Sequence, residues 1–443
     1  MPTKAEVLSE IKKNKIEFIN LHFTDIHGMV KSVTIPAAQV DGAIDNNVWF
    51  DGSSIEGFTR IFESDMYLKL DLNTFRILPW GSTPTAFFIC DVYLPSGEPF
   101  MGDPRQILKK QMEEAKKMGY VLNTGPELEF FLFKRGEDGK VGILPNDYAG
   151  YFDFTSDLAA HIRKDMASAL LALKINAETL HHEVAPGQHE ISFRYADALT
   201  TADAAIVFKF TLKAIAQKYD LHCTFMPKPI QGENGSGMHT HQSLCDVKTG
   251  KNLFYDAKSP DGLSDLAKSY VAGLLDHVSA FVAVTNPTVN SYKRLVPGYE
   301  APVYIAWGTT NRSALVRLPR VSPQLAAKAT RIELRNPDPS CNPYLAFAAM
   351  LASGLDGIKR NLKAPNPVEE NIFEFTDQQA EKYKIKTVPA NLGDALANFA
   401  KDKMLMETFG KHFTDKYIAA KTQEYDEYRL YVSPFETERY LKY

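Results

Sequence analysis

Two carboxylates interrupt a strongly apolar stretch of the chain. Glu127 and Glu129 stand in GPELEFFLF, residues 125–133, with Leu128 between them and a run of phenylalanine and leucine after them. In a β-strand, residues two apart point to the same face, so both side chains would enter one site. Two solvated surface acids are the ordinary alternative, but the apolar neighbours argue against it, and like charges this close are costly without a cation. The pair therefore predicts a strand that presents ligands to a divalent cation.

A second acidic cluster follows in HHEVAPGQHE, residues 181–190. Glu183 and Glu190 flank Ala-Pro-Gly-Gln at 185–188, a sequence typical of a turn that can fold the two carboxylates toward each other. A further candidate ligand is His239 in NGSGMHTHQS, where small residues allow the backbone to approach a ligand closely. Each of these signals is weak when it is taken singly.

The segment RIELR adds another carboxylate. Strand alternation would place Arg331, Glu333 and Arg335 on one face. The candidates then comprise five carboxylates and one imidazole. Such an oxygen-rich set suits magnesium or manganese, whereas zinc prefers cysteine and histidine. We expect two cations rather than one.

Glycine-rich phosphate loops do not account for nucleotide binding here. The NGSG glycines match neither GxxxxGK[ST] nor GxGxxG, so ATP would have to be bound through metal ions and arginines. For any single arginine a surface salt bridge is the better explanation. Several in one segment rich in proline, glycine and aromatic residues favour binding of carboxylate or phosphate. These arginines are Arg294, Arg312, Arg317 and Arg335.

The order of strand and helix patterns predicts an α+β protein. Residues 16–35 alternate on either side of a turn at 25–28, which indicates a hairpin in a small N-terminal sheet domain. Residues 85–94 read as another strand, and Asp103 is placed to cap a helix that opens at Pro104. We expect a boundary near residue 100, giving domains 1–100 and 101–443. Further helices are expected at 104–118, 156–173, 202–219 and 270–284, and a further strand at 120–133.

Charge and cysteine content exclude several classes of protein. Lysine plus arginine number 50 against 54 aspartate plus glutamate in 443 residues, which gives no reason to expect nucleic acid or an anionic membrane as partner. Cys90, Cys223, Cys245 and Cys341 lie far apart without a CxxC pair, so neither a disulfide framework nor a cysteine zinc site is expected. The N-terminus lacks the apolar core of a signal peptide. We therefore expect a cytoplasmic protein that does not span a membrane.

Six motifs, taken together and in order, resemble type I, prokaryotic glutamine synthetase from end to end. The resemblance implies an N-terminal β-grasp domain followed by a larger catalytic domain with a curved antiparallel sheet and helices. It also implies a homododecamer of two stacked hexameric rings, with active sites between subunits. The motifs are FDGSSIEGF (50–58), GPELEFFLF (125–133), HHEVAPGQHEI (181–191), NGSGMHTHQSL (234–244), KRLVPGYEAP (293–302) and RIELRNPDPSCNPYLAFAAML (331–351).

The same resemblance implies the reaction and its participants. L-glutamate would attack the γ-phosphate of ATP, and ammonia, bound as ammonium, would convert the resulting γ-glutamyl phosphate to glutamine. Two or more Mg²⁺ or Mn²⁺ ions per subunit would assist. The implied ligands of the metal beside glutamate are Glu129, Glu183 and Glu190, and those of the metal at the ATP phosphates are Glu127, His239 and Glu333.

Further roles are implied position by position. Glutamate would contact Asn234, Gly235, Arg294, Glu300, Arg312 and Arg335. The nucleotide would contact Glu178, His241, Ser243, Arg312, Arg317 and Lys328, although surface charge is the alternative for Glu178 and Lys328. Arg312 and Arg317 would neutralise charge on the transferring phosphoryl group. Asp51 would bind and deprotonate ammonium in a neighbouring subunit's site, and Glu300 would shield the acyl phosphate from water.

Regulation and rival functions are also indicated. Phe373 stands where the branch controlled by adenylylation has a tyrosine, so that control is not expected. Arg60 resembles the arginine linked to glutamine feedback, and regulatory proteins stay open as partners. One rival is a γ-glutamyl-amine ligase that uses a polyamine, against which the intact DGSS motif at Asp51 argues. The other is an inactive regulatory relative, against which the six retained metal ligands argue.

Overall fold

The N-terminal part of the chain builds a six-stranded sheet. The computed structural model describes residues 2–55, 57, 65–136, 139–297, 301–309, 311–375 and 385–443. β1 (Phe18–Thr24) and β2 (Val30–Pro36) form the predicted antiparallel hairpin, because the Asp25 carboxylate accepts the backbone N–H groups of His27 and Met29 in the turn. The other elements are α1 (Lys4–Lys13), α2 (Val40–Asn46), β3 (Val48–Asp51), β4 (Asp65–Leu70), β5 (Arg76–Ile77) and β6 (Thr85–Tyr93).

The strand order of this sheet is β2-β1-β6-β4-β3, with β5 on β6. Its one parallel pairing joins β1 to β6, and β6 is the predicted strand at 85–94, buried along almost its whole length. Ile19, Leu21, Met66, Leu68 and Phe88 are fully buried in its core. The N-terminal part therefore has an apolar core of its own, as the β-grasp resemblance predicts.

A second, eleven-stranded sheet follows, in the order β17-β14-β15-β16-β13-β7-β10-β9 with β8, β11 and β12 also paired to β7. Its pairings are antiparallel except that of β14 with β15. The centre is β7 (Tyr120–Arg135), which pairs with five other strands. The other strands are β8 (Val141–Pro145), β9 (Ala177–His182), β10 (Gln188–Phe193), β11 (Ala196–Asp197), β12 (Leu221–Thr224), β13 (Met238–Asp246), β14 (Tyr304–Gly308), β15 (Ala314–Arg317), β16 (Ile332–Leu334) and β17 (Lys386–Thr387).

Helices pack against this second sheet. Asp103 caps the first of them as predicted, since its carboxylate accepts the Arg105 N–H at 2.9 Å and also the Val92 N–H at 3.0 Å. None of the described helices is long and apolar enough to cross a bilayer. The helices are α3 (Pro104–Lys117), α4 (Ala160–Ala172), α5 (Ala198–Lys218), α6 (Asp265–Thr285), α7 (Ser291–Arg294), α8 (Ala326–Ala329), α9 (Pro343–Lys359), α10 (Leu392–Phe399), α11 (Lys403–Phe409), α12 (Lys411–Leu430) and α13 (Pro434–Tyr440).

Three predicted helix starts were wrong. The helix expected from residue 270 begins at Asp265, because the Ser264 hydroxyl accepts the Ala267 N–H and caps it. In the other two, a carboxylate captures backbone N–H groups. The helix expected from residue 156 begins at Ala160, since Asp147 and Asp157 accept the N–H groups of Leu158 and Ala159 and hold them outside the helix. The helix expected from residue 202 begins earlier, at Ala198, since the Asp197 carboxylate caps it.

Helices α6 and α9 approach so closely that glycine is required where they cross. A Cβ atom on Gly273 would lie 2.1 Å from the Ser353 carbonyl oxygen and 2.9 Å from the Gly357 Cα. Both atoms belong to the backbone of a buried helix, so they cannot move aside cheaply. This contact sets the spacing of the two most buried helices behind the sheet.

Gly273→Ala should therefore destabilise the protein by about 1–3 kcal/mol, the usual effect of overpacking a core. The matched control is Gly42→Ala in α2, where a Cβ meets nothing within 4 Å and the alanine should be neutral or stabilising by up to about 1 kcal/mol. The thermal unfolding midpoints of both variants and the parent chain measure the difference. Equal midpoints would contradict the close helix crossing.

Candidate functional site

The register of the central sheet brings the predicted ligands together around β7. Glu127 lies opposite His239 of β13, and Glu129 lies opposite Glu190 of β10. On the other side of β13, His241 lies opposite Glu333 of β16. Segments far apart in sequence thus place their polar side chains beside the pair that the sequence singled out.

The first group, which we call the Glu127 cluster, consists of Glu127, His239 and Glu333. Their ligand atoms lie within 4.8 Å of one another, and the His239 Nδ1 atom is 3.6 Å from Glu127 Oε2 and 3.7 Å from Glu333 Oε1. His241 adds a contact of 2.9 Å between its Nε2 atom and Glu127 Oε1. The three predicted ligands of one metal therefore lie together.

Cationic groups compensate the carboxylates of the Glu127 cluster. Arg317 donates to Glu333 at 2.5 Å and Arg335 donates to it at 2.7 Å. Burial alone would raise the pKa of Glu333. That pKa is nevertheless held below its usual range by the positive charge of Arg335 and, to a smaller extent, by His239, His241 and Arg317. Burial likewise opposes ionisation of Glu127, whose pKa is nevertheless lowered by His239 and His241. Both carboxylates are therefore ionised at neutral pH.

The second group, which we call the Glu183 cluster, consists of His181, Glu183, Glu190 and Glu129. The ligand atoms of the first three lie within 4.8 Å of one another, with His181 Nδ1 3.4 Å from Glu183 Oε1 and His181 Nε2 3.5 Å from Glu190 Oε1. Sequence reasoning named the three glutamates and missed His181. Its signal was its position two residues before Glu183, which gives strand residues a common face.

Glu129 is the least compensated carboxylate of this cluster. It is only 9% exposed, and burial together with the negative charges of Glu183 and Glu190 raises its pKa well above the usual range. Its Oε2 atom accepts hydrogen bonds of 2.9 Å from the Gln188 amide and the Gly237 N–H. Gln188 is a positioning residue that sequence reasoning missed. A divalent cation fits this donor set, because it would remove the repulsion among three carboxylates.

A small cavity is lined by residues of both clusters and by the predicted glutamate-binding positions. Arg294 is 5% exposed, and its guanidinium donates to the Asn336 and Pro337 carbonyls at 2.8 and 3.3 Å. Gly235 must be glycine, since a Cβ atom there would lie 2.2 Å from the Pro227 carbonyl oxygen. The lining residues are Glu129, Glu183, Gln188, Asn234, Gly235, His239, Arg294, Ala301 and Arg335.

Arg335 offers a free donor near this cavity. Its Nε atom is buried and has no hydrogen-bond partner among the residues that the structure describes. Arg331, which sequence reasoning placed on the same strand face but gave no role, donates to His241 Nδ1 at 3.2 Å. Both arginines therefore border the Glu127 cluster, and an anionic substrate would satisfy the open donor of Arg335.

The remaining predicted residues lie farther out or outside the described chain. Glu178 on β9, Lys328 on α8 and Arg312 are exposed, and Ser243 is half-buried on β13. Asp51 ends β3 in the other sheet, where its carboxylate accepts the Ser53 N–H at 2.8 Å. The predicted roles of Glu300 and Arg60 lie outside the described residues, which exclude 298–300 and 58–64.

The fold and the site together define an enzyme with divalent-metal ligands and cationic groups for anionic substrates. Family models for the glutamine synthetase β-grasp domain and the glutamine synthetase catalytic domain match residues 15–95 and 101–440. The glutamine synthetase of Methanosarcina mazei is 51% identical over 442 residues, which are 99% of this chain and 98% of that one. The glutamine synthetase of Thermus thermophilus is also 51% identical, with 99% of each chain covered.

Structural comparison agrees with this likeness. The solved GmaS/ADP complex in conformation 1 has a TM-score of 0.89 and 31% identity, and the match covers 99% of each chain. The chain belongs to the glutamine synthetase family and is of the type I kind. It is accordingly a glutamate–ammonia ligase that uses ATP and a divalent metal.

Glu129→Gln should stabilise the metal-free protein. The folded chain raises the pKa of Glu129, so at neutral pH folding must bring an ionised carboxylate into a site that disfavours it, at about 1.4 kcal/mol per pKa unit. Glutamine keeps an acceptor for Gln188 and Gly237 without the charge. The thermal midpoint of the metal-free variant should therefore lie above that of the metal-free parent chain.

Manganese should stabilise the two proteins to different extents. It should raise the midpoint of the parent chain by binding the folded state and raise that of Glu129→Gln by less, because only the Glu127 cluster keeps all its carboxylates. Glu178→Gln, in the same sheet on β9 but exposed, is the matched control and should behave like the parent. A destabilised metal-free Glu129→Gln variant would contradict the repulsion.

Proposed function

We propose that the Glu183 cluster and the Glu127 cluster each bind a divalent cation, magnesium or manganese, so that a subunit holds at least two. One observation carries this proposal: two residues apart on one strand, Glu127 belongs to one group of ligand atoms, and Glu129 lies beside the other group, opposite Glu190. When bound, the cations polarise the reacting oxygens and neutralise charge that develops on the phosphoryl group. The strand fixes the spacing of the two sites.

Glutamate fits the cavity between the clusters. Arg294 and Arg335 are buried there, and their donors suit the carboxylates of the amino acid. We assign Asn234 and the backbone at Gly235 to the same substrate, since both line the cavity. The side chain of glutamate would then direct its γ-carboxylate toward the Glu127 cluster. Arg312 is assigned to glutamate and to the phosphoryl group from the family likeness.

ATP would place its phosphates at the Glu127 cluster. Arg317, held by Glu333 at 2.5 Å, is positioned to neutralise phosphate oxygens together with Arg312. Attack of the γ-carboxylate on the γ-phosphorus releases ADP and forms γ-glutamyl phosphate, and ammonia then displaces phosphate to give glutamine. We assign the rest of the nucleotide to Glu178, His241, Ser243 and Lys328, of which His241 contacts the cluster directly.

The ammonium site would include a residue from a neighbouring subunit. We propose that the chain forms a homododecamer of two hexameric rings in the cytoplasm, with a division between its domains near residue 100. Asp51 would then reach the site of a neighbouring subunit and deprotonate ammonium. Glu300 would cover the acyl phosphate, which must be kept from water.

Phosphate release tests the reaction and its rival. With ATP, glutamate and manganese present, ammonium should stimulate phosphate release and yield glutamine. Methylamine and putrescine should stimulate phosphate release at least about tenfold less, which corresponds to about 1.4 kcal/mol in transition-state free energy. Chelation of the metal should abolish the activity. Stimulation by a larger amine but not by ammonium would assign the chain to a γ-glutamyl-amine ligase. The absence of any stimulated release would favour the inactive relative.

Asp51→Ala tests the ammonium role. Glutamine formation should fall by roughly 100-fold or more, in the range of a lost general base, while the KM for glutamate should change little. The control is Asp65→Ala, because Asp65 lies directly opposite Asp51 in the same sheet and has no assigned role. Unchanged turnover of Asp51→Ala with ammonium would remove Asp51 from the mechanism.

A further inference from the structure

A buried polar group lies on the reverse face of the hairpin that carries the Glu183 cluster. His182 of β9 and His189 of β10 are cross-strand partners, so their side chains point away from the face used by His181 and Glu190. Asp147, which follows β8, contacts His182 and lies near His189. All three side chains are buried, with 1%, 0% and 3% exposure for His182, His189 and Asp147.

His182 links this buried group to a candidate metal ligand. Its Nε2 atom is 2.8 Å from Asp147 Oδ1, and its Nδ1 atom is 2.6 Å from the Glu183 carbonyl oxygen. Both partners are acceptors, so the ring donates from both nitrogens. The hydrogen bond from Nδ1 therefore holds the backbone of Glu183, which is a candidate metal ligand.

A third metal site is the obvious alternative, because Asp147, His182 and His189 have ligand atoms within 4.8 Å of one another. Arg163 argues against it. Its guanidinium can only donate, and it contacts His189 Nδ1 at 2.9 Å, so the neutral His189 ring carries its hydrogen on Nε2 and offers no lone pair there. Arg163 is itself paired with Asp157. The group therefore consists of two ion pairs, His182 with Asp147 and Arg163 with Asp157. The His189 ring lies between them and contacts both Arg163 and His182.

The turn that follows His182 is also held by hydrogen bonds of its own, two of which join the backbones of Glu183, Ala185 and Gln188. The Glu183 N–H donates to the Gln188 carbonyl at 2.8 Å, and the Gln188 N–H donates to the Ala185 carbonyl at 3.0 Å. Gln188 in turn holds Glu129. A shift of the Glu183 backbone would therefore move both Glu183 and the amide that positions Glu129.

We infer that His182, oriented by Asp147, is a positioning residue that fixes the backbone of Glu183 and thereby the geometry of the Glu183 cluster. The inference rests on the proposed metal role of that cluster. Partners that orient metal ligands in this way typically alter metal affinity by about 10–100-fold when they are removed.

Two substitutions of one side chain separate positioning from packing. In His182→Asn the amide nitrogen takes the place of Nδ1 and can still donate to the Glu183 carbonyl. In His182→Gln the amide nitrogen takes the place of Nε2, which keeps the Asp147 contact and loses the Glu183 bond. Asp153→Asn is the control, because Asp153 is an exposed residue of the preceding loop whose carboxylate accepts hydrogen bonds from the Gly150 N–H and the Ser156 hydroxyl.

Manganese titration followed by electron paramagnetic resonance supplies a readout independent of activity. Glu129→Gln identifies which binding class belongs to the Glu183 cluster. His182→Gln should weaken that class by roughly 10–100-fold and leave the other class and the KM for ATP unchanged, while His182→Asn and Asp153→Asn should stay within about threefold of the parent, under 1 kcal/mol.

An equal loss of manganese affinity at the Glu183 cluster in His182→Gln and His182→Asn would overturn the inference. Parent-like manganese affinity in both variants would overturn it as well. Failure of both variants to fold would overturn it too, since His182 would then serve the fold as a whole. Failure of the proposed ligase function is a separate result: it would appear as no glutamine formation by the parent chain, whatever the manganese titrations show.

Discussion

Repulsion among buried carboxylates is the constraint on which the catalytic sheet depends. At 4 Å, two like charges repel by about 4 kcal/mol at an effective dielectric constant of 20, whereas a whole domain is stable by about 5–15 kcal/mol. Glu129, Glu183 and Glu190 together can therefore be tolerated only in a rigid frame. β7 supplies that frame, because it is held by five neighbouring strands and its apolar side chains on either side of Glu129 are fully buried, namely Leu128, Phe130, Phe131 and Leu132.

The two clusters meet this constraint in different ways. Around Glu333, the protein provides its own positive charge through Arg317 and Arg335, and the pKa of the carboxylate falls. Around Glu129, no arginine forms an ion pair with it among the described residues, and the pKa rises. His239 and His241 likewise lower the pKa of Glu127, so the pKa values of Glu127 and Glu129, only two residues apart, are shifted in opposite directions. The second cluster therefore has the larger deficit of positive charge.

Local signals in the sequence predicted much of this arrangement. Strand alternation placed Glu127 and Glu129 on one face, and the Asp103 cap and the hairpin around Asp25 follow from short-range chemistry. The start of α4 could not be predicted, because Asp147 lies outside the helix and acts through tertiary contact. His181 and Gln188 were missed for a related reason. Their contacts depend on the register between strands, which no single segment encodes.

The small sheet is tied to the catalytic part by a buried charge network. Arg105, only 2% exposed, donates to Asp71 at 2.8 Å and to Asp91 at 2.6 Å in the N-terminal part, and to Asp203 of α5 at 2.9 Å. Removing one partner from such a network leaves a buried charge uncompensated and lowers the stability of the protein by about 3–5 kcal/mol. The two parts therefore cannot separate easily. The network therefore fixes the position of the small sheet, including β3 and its last residue Asp51, relative to the catalytic part.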